Sequence, residues 1–394
     1  MQSKNAVYQY STNLNSLQEG QLDVTLKYSG KIKDSMYFLL PKMVPGIYDA
    51  LNYGKYISNL TCRTSKGKEI PVKRMDENTW LITNPSKGIE LQYTVKEGWS
   101  NYNFENMRPY VSSENKIGNS VILLNANATF GYFKNEENKY FDIQVKRPTH
   151  FYGATSLPKT NGETFDVYHA QNYRQLVDNP ILFSRPDTAS IVLPNIKVNV
   201  VSYSTSQEPI SKILRDYIQP LIINQSDYLR GQLPTDYYTF LVYHEENPNF
   251  NEGYVAEGLE HNQSTVLIIY SPMDMEILKE NIFNLASHEF FHTMIPLGLH
   301  SQEIGSFDFH QPKLSKHLWL YEGTTEYFTI HMPIYQHLTI EPDFAKTVER
   351  KIATMNKFND TIPFTTLSKN VLDYSDEYMN VYAKGALINL CLDI

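Results

Sequence analysis

His288-Glu289-Phe290-Phe291-His292 lies near the end of a segment, residues 272–295, whose pattern reads as helix. Ser271 and Pro272 offer an N-cap and a first-turn proline, Asp274 suits the positive end of the helix, and apolar residues recur at Met275, Leu278, Ile282 and Leu285. Pro296 and Gly298 stop it. Residues four apart on a helix share one face, so the imidazoles of His288 and His292 can reach a single ion, with Glu289 on the flank between them. Two neutral nitrogens and a carboxylate free to move a proton are what a zinc hydrolase needs. The expected cofactor is one Zn2+ ion, held by His288 and His292, with Glu289 as general base.

A five-residue pattern also arises by chance, and a catalytic zinc takes three protein ligands, so a further Asp, Glu or His is needed on a second rigid element. Leu318-Trp319-Leu320-Tyr321-Glu322-Gly323 supplies it, with Glu322 thirty residues beyond His292 in a second helical pattern marked by Leu318, Tyr321, Thr325, Phe328 and Met332. The Trp-x-x-Glu-Gly segment resembles that of the gluzincin metallopeptidases, and the long spacing resembles the glycyl aminopeptidase family in particular. Glu257-Gly258-Leu259-Glu260-His261 is similar to that family's Gly-Gly-Leu-Glu-His segment, with Glu257 replacing the first Gly. Tyr382-Ala383-Lys384-Gly385-Ala386 is similar to its Tyr-x-Lys-Gly-Ala helix start. Leu40-Pro41-Lys42-Met43-Val44-Pro45-Gly46-Ile47-Tyr48 resembles its amino-terminal landmark, with Met43 and Ile47 in place of Trp and Ser.

The resemblance implies roles. Tyr382 would stabilise the oxyanion as a neutral hydroxyl donor, with Tyr378, one turn away, as the alternative. Glu260 would bind the substrate's free α-amine; read alone, it is a solvated loop residue ahead of a strand. Glu326, one turn past Glu322, departs from the resemblance, which implies a small residue there; its place on the helix allows it either to orient a ligand imidazole or to be an ordinary exposed acid.

With 394 residues, 41% hydrophobic, the chain can bury more than one core. A net charge of -8 without a basic cluster argues against nucleic-acid partners, and no apolar run is long enough to span a bilayer. Cys62 and Cys391, far apart in sequence, read as two free, buried thiols. The first thirty residues show no export-signal pattern, so the chain is expected to be either cytoplasmic or numbered from beyond a removed leader, which the abrupt start at Met1-Gln2-Ser3-Lys4 would suit.

Short alternating strands fill residues 8–188, as at Leu22, Val24, Leu26 and Tyr28, with hairpin turns at residues 65–68 and at Pro85-Ser86-Lys87-Gly88. The expected fold is α+β and multidomain. An N-terminal antiparallel β-sandwich over residues 1–178 precedes a thermolysin-like, mainly helical zincin catalytic domain over 179–394. The last helix, from about Val381, reaches Ile394 with no cap, and the resemblance implies further helices and a PDZ domain beyond it. The expected function is a zinc aminopeptidase acting on peptides, with small residues such as glycine preferred by resemblance alone. A zinc endopeptidase, or a peptide-binding protein that keeps the fold without turnover, stays open, as does the oligomeric state.

Overall fold

The computed structural model describes residues 6–18, 20–85, 88–99, 110–246, 255–271 and 275–393. Pro272 and Asp274 of the expected helix start, Ser86 and Lys87 of the second expected turn, Met1-Gln2-Ser3-Lys4, Ile394 and the side chain of Met275 lie outside the described residues. The chain divides into two compact units, Met1–Asp187 and Thr188–Ile394. Ile181–Ser184 pairs antiparallel with Val121–Leu124, so the strand that follows residue 178 still belongs to the first unit.

The first unit is β-rich and, among the described residues, holds three sheets, one of eight strands and two of four. Its largest sheet is built on alternation: in Gln21–Tyr28, Leu22, Val24, Leu26 and Tyr28 are buried while Asp23 and Lys27 face out. Ile89, Leu91, Tyr93 and Val95 repeat the pattern on the neighbouring strand. The pairing is not wholly antiparallel. Tyr8–Asn13 runs antiparallel to Gln21–Tyr28 on one side but parallel to Phe141–Lys146 on the other. Short helices, Ala126–Thr129 and Tyr173–Val177, also interrupt the expected run of strands.

The second unit opens with strands β1 (Thr188–Leu193) and β2 (Ile196–Ser204), helix α1 (Ser211–Tyr228), and strands β3 (Tyr237–Glu246), β4 (Val255–Glu260) and β5 (Ser264–Ser271). The long helices α2 (Met275–Phe291), α3 (Leu318–Tyr335), α4 (Glu341–Met355) and α5 (Asn380–Asp393) follow. A five-stranded mixed sheet, in the order β1-β2-β3-β5-β4, therefore precedes the helical part. Its middle strands β2, β3 and β5 are parallel, and β4 closes one edge antiparallel to β5. Every residue of β5 is buried, as its unbroken apolar run requires of a strand covered on both faces. Leu214, Ile218 and Ile222 of α1 share one core with Leu278, Ile282, Ala286 and Phe290 of α2 and with Val200, Phe240 and Leu267 of the sheet. The periodicity that defines α2 thus anchors the helix on the sheet and leaves its C-terminal turn to carry the histidines.

His244 sits fully buried on β3, its Nδ1 3.0 Å from Ser204 Oγ and its Nε2 3.1 Å from Ser271 Oγ. Burial pushes this imidazole down to about 4, against a hydrogen bond with Ser271 that favours the charged form. Between about pH 6.5 and that value the unfolded chain takes up a proton that the folded chain refuses, so stability falls as pH falls through this window. The loss approaches roughly 3 kcal/mol. His244→Asn, compared with wild type by denaturant unfolding at several pH values, is expected to flatten the acid limb; parallel curves would refute this assignment.

Among the described residues no helix is long and apolar enough to cross a membrane. Cys62 is buried, but Cys391 is exposed, because α5 turns that face outward.

Candidate metal centre

His288 and His292 leave the C-terminal end of α2, and Glu322 leaves the second turn of α3. The described helix ends at Phe291, four residues short of its expected end, yet the His292 amide still donates to the His288 carbonyl at 3.2 Å, so helical spacing holds between the two imidazoles. Their Nε2 atoms are 3.1 Å apart, and each is 3.4 Å from Glu322 Oε2. Ligand bonds of about 2.0–2.1 Å to a tetrahedral zinc would place donor atoms about 3.3–3.4 Å apart. The triangle has that size.

The supporting contacts fix which nitrogen carries the proton. His288 Nδ1 lies 3.0 Å from Glu326 Oε2, and His292 Nδ1 lies 3.0 Å from the Ile295 carbonyl. Both partners only accept, so Nδ1 donates in each ring and the two Nε2 lone pairs are aimed into the triangle. Thr325 Oγ1, 3.2 Å from His292 Nδ1, is held by the Tyr321 and Ile295 carbonyls. Glu322, Thr325 and Glu326 are one helical face at i, i+3 and i+4, so α3 brings one donor and the props of both rings together.

Glu289 is 4% exposed and points toward β4, where a Cβ on Gly258 would lie 2.1 Å from Glu289 Oε1. Only a residue without a side chain lets that strand approach so closely. Glu260 is buried at the end of β4 rather than in a solvated loop, because the strand pairs with β5 as far as Glu260. One ligand atom each of Glu260, Glu289 and His292 lie within 4.8 Å of one another, as do those of His288, His292 and Glu322. On α5, the Tyr382 ring stacks 5.8 Å from that of His288, and its hydroxyl is 2.7 Å from the Tyr378 hydroxyl. The six residues singled out in the sequence therefore form one cluster, drawn from β4, α2, α3 and α5.

Residues 9–185 match the family model of the peptidase M61 N-terminal domain, and residues 281–388 match that of the M61 glycyl aminopeptidase. The chain belongs to the M61 family. Its fold is similar to that of an aminopeptidase N family protein from Idiomarina loihiensis, with a TM-score of 0.82 and 21% identity over 98% of this chain. The chain spans 66% of that protein's length, just under two thirds. An M1 zinc metallopeptidase from Deinococcus radiodurans is more distant, with a TM-score of 0.50 and 13% identity over 96% of this chain and 80% of that one. At these identities the likeness is one of fold. Among curated proteins none matches the chain.

In this M61 chain the triangle gathers buried groups whose charges act strongly on one another. Burial disfavours charge on both imidazoles, yet Glu322 and Glu326 outweigh it at His288, which is held well above the usual histidine range. Against the same burial, Glu322 and Glu260 raise His292 to about 9. Burial would raise Glu322 too, but the two imidazoles overcome it and hold its carboxyl well below the usual range. Burial pushes Glu289 up to about 7, the imidazoles pulling against it and Glu260 and Glu322 adding to it. Glu260 is raised chiefly by burial, opposed by His292 and reinforced by Glu322. Glu260 Oε1 and Glu289 Oε2 are buried without a hydrogen-bond partner among the described residues. Two imidazoles and three acids crowd one point, and nitrogen and carboxylate donors at this spacing suit a zinc ion.

Proposed function

We propose that this chain is a zinc-dependent aminopeptidase, with a thermolysin-like catalytic unit over its second half and a β-sandwich before it. The reading rests on one observation, the donor triangle of 3.1, 3.4 and 3.4 Å formed by His288 Nε2, His292 Nε2 and Glu322 Oε2. These three residues would hold the ion. When bound, zinc supplies Lewis acidity to the scissile carbonyl and to water.

The remaining chemistry belongs to side chains. Glu289, a buried carboxylate outside the donor triangle, takes the proton of the attacking water and returns it to the departing amine. Tyr382 donates its hydroxyl hydrogen to the oxygen on which charge develops. Glu260 holds the α-ammonium of the substrate's first residue by a charge-assisted hydrogen bond. Its ligand atom, within 4.8 Å of those of Glu289 and His292, would hold the amine close to the reacting carbonyl, so that peptides are trimmed from the amino end. The preference for glycine at that end follows the family's printed name and stands as part of the proposal.

The full chain should be assayed on a short peptide with a free amine and on its acetylated counterpart. Acetylation removes the cation that Glu260 would pair with, so hydrolysis is expected to fall by more than about tenfold, in line with the worth of a charged hydrogen bond. Equal rates would shift the reading to an endopeptidase. Stoichiometric zinc with no turnover of either peptide would shift it to a peptide-binding protein.

A further inference from the structure

Helix α4 is amphipathic, and no residue on it is fully buried. Phe344, Thr347, Val348, Thr354 and Met355 form its half-buried stripe, at the spacing of one helical face. Lys351 falls in the middle of that stripe, where the pattern calls for an apolar residue, and its side chain is 16% exposed. A lysine in such a place needs a partner. Its Nζ forms an ion pair with Glu326 Oε1, while Glu326 Oε2 accepts from His288 Nδ1 at 3.0 Å. One carboxylate thus bridges a lysine of α4 and an imidazole of the donor triangle.

We propose that Lys351 is a positioning residue of the metal centre, setting the His288 ring through Glu326. The inference rests on the zinc reading above and extends it to a residue that touches neither ion nor substrate. With only His288 on one oxygen, the Glu326 carboxylate would be free to turn about its own torsion, and the ring it holds would turn with it. The ammonium on the second oxygen fixes the carboxylate plane, and so keeps His288 Nε2 directed at His292 Nε2 and Glu322 Oε2. Electrostatics alone predicts the opposite effect, since a lysine near the centre repels a cation. The two accounts therefore differ in sign.

Zinc affinity of the full chain, measured by competition with a chromogenic chelator, separates them without recourse to activity. Lys351→Met is expected to weaken zinc binding about tenfold, the lower end of what loss of a ligand's outer partner costs. Lys351→Arg should restore it to within about twofold, since a guanidinium reaches the same carboxylate. In a Glu326→Gln background, Lys351→Met should change the affinity by less than about twofold, because the link is already cut. Unchanged or tighter binding by Lys351→Met would overturn the proposal. So would equal weakening in both backgrounds, or a matching fall in the unfolding temperature of the zinc-free chain that arginine does not rescue. If the wild-type chain bound no zinc, the metal-centre reading would fall first and this inference with it; zinc-loaded wild type and an indifferent Lys351→Met would remove this inference alone.

Discussion

Glu289→Gln should bind zinc as the wild type does and hydrolyse peptides about 100- to 10,000-fold more slowly, the usual worth of a positioned acid-base group. The two halves of that expectation have separate origins. Glu289 is outside the triangle of His288, His292 and Glu322, so the isosteric amide leaves all three donors in place. It also relieves the burial of a charged group and, secondarily, the repulsion from Glu260 and Glu322, both of which push the Glu289 carboxyl upward. The amide, however, has no basic oxygen to accept a proton from water and none to give to the leaving amine. Metal content by elemental analysis and kcat/KM on a free-amine peptide would both be read. Near-normal turnover would remove Glu289 from the chemistry, and loss of zinc would make it a ligand instead of a base.

Replacing Gly385 with alanine is expected to lower kcat/KM about 100-fold while zinc stays bound, the cost of displacing a reacting group by about 1 Å. A Cβ on Gly385 would meet the Trp319 carbonyl oxygen at 2.8 Å and Gly323 Cα at 2.9 Å, and one on Gly323 would meet the Gly385 carbonyl carbon at 2.6 Å. Helices α3 and α5 thus cross backbone on backbone, and nothing there can yield by changing rotamer. The added methyl has to push α5 outward, carrying Tyr382, one turn earlier, away from His288. The donors ride on α2 and α3 and are expected to hold. Overpacking of this kind also costs about 1–3 kcal/mol of stability. If Tyr382 is the group displaced, adding Tyr382→Phe to Gly385→Ala should slow hydrolysis little further. Full activity of the alanine variant, or a further fall as large as Tyr382→Phe causes alone, would show that the crossing does not set the position of Tyr382.

What could be read in the sequence was local. The spacing of His288 and His292 and the apolar repeat at Leu278 and Ile282 are properties of one helix, and that helix forms where the repeat says. Glu322 was legible because its own helix is periodic. The distant pairings were not: nothing near Tyr8 announces a parallel partner at Phe141, and nothing before Glu260 says that β4 will pair up to its last residue. Thr325 and the Ile295 carbonyl were missed because a prop has no signature of its own; the i+3 offset from Glu322 was the available signal for Thr325. Lys351 left a faint trace, a charge inside an apolar stripe, which gains meaning only once α4 lies beside α3.

The gathering of Glu260, Glu289 and Glu322 about His292 has a consequence for durability. Glu260 and Glu289, drawn out of water and raised by burial, oppose the collapse of the second unit, and in the zinc reading a divalent ion that binds only the folded form would offset them by mass action. On that reading the free ion concentration in the surrounding solution would govern how long the chain survives proteases and heat, apart from any catalysis.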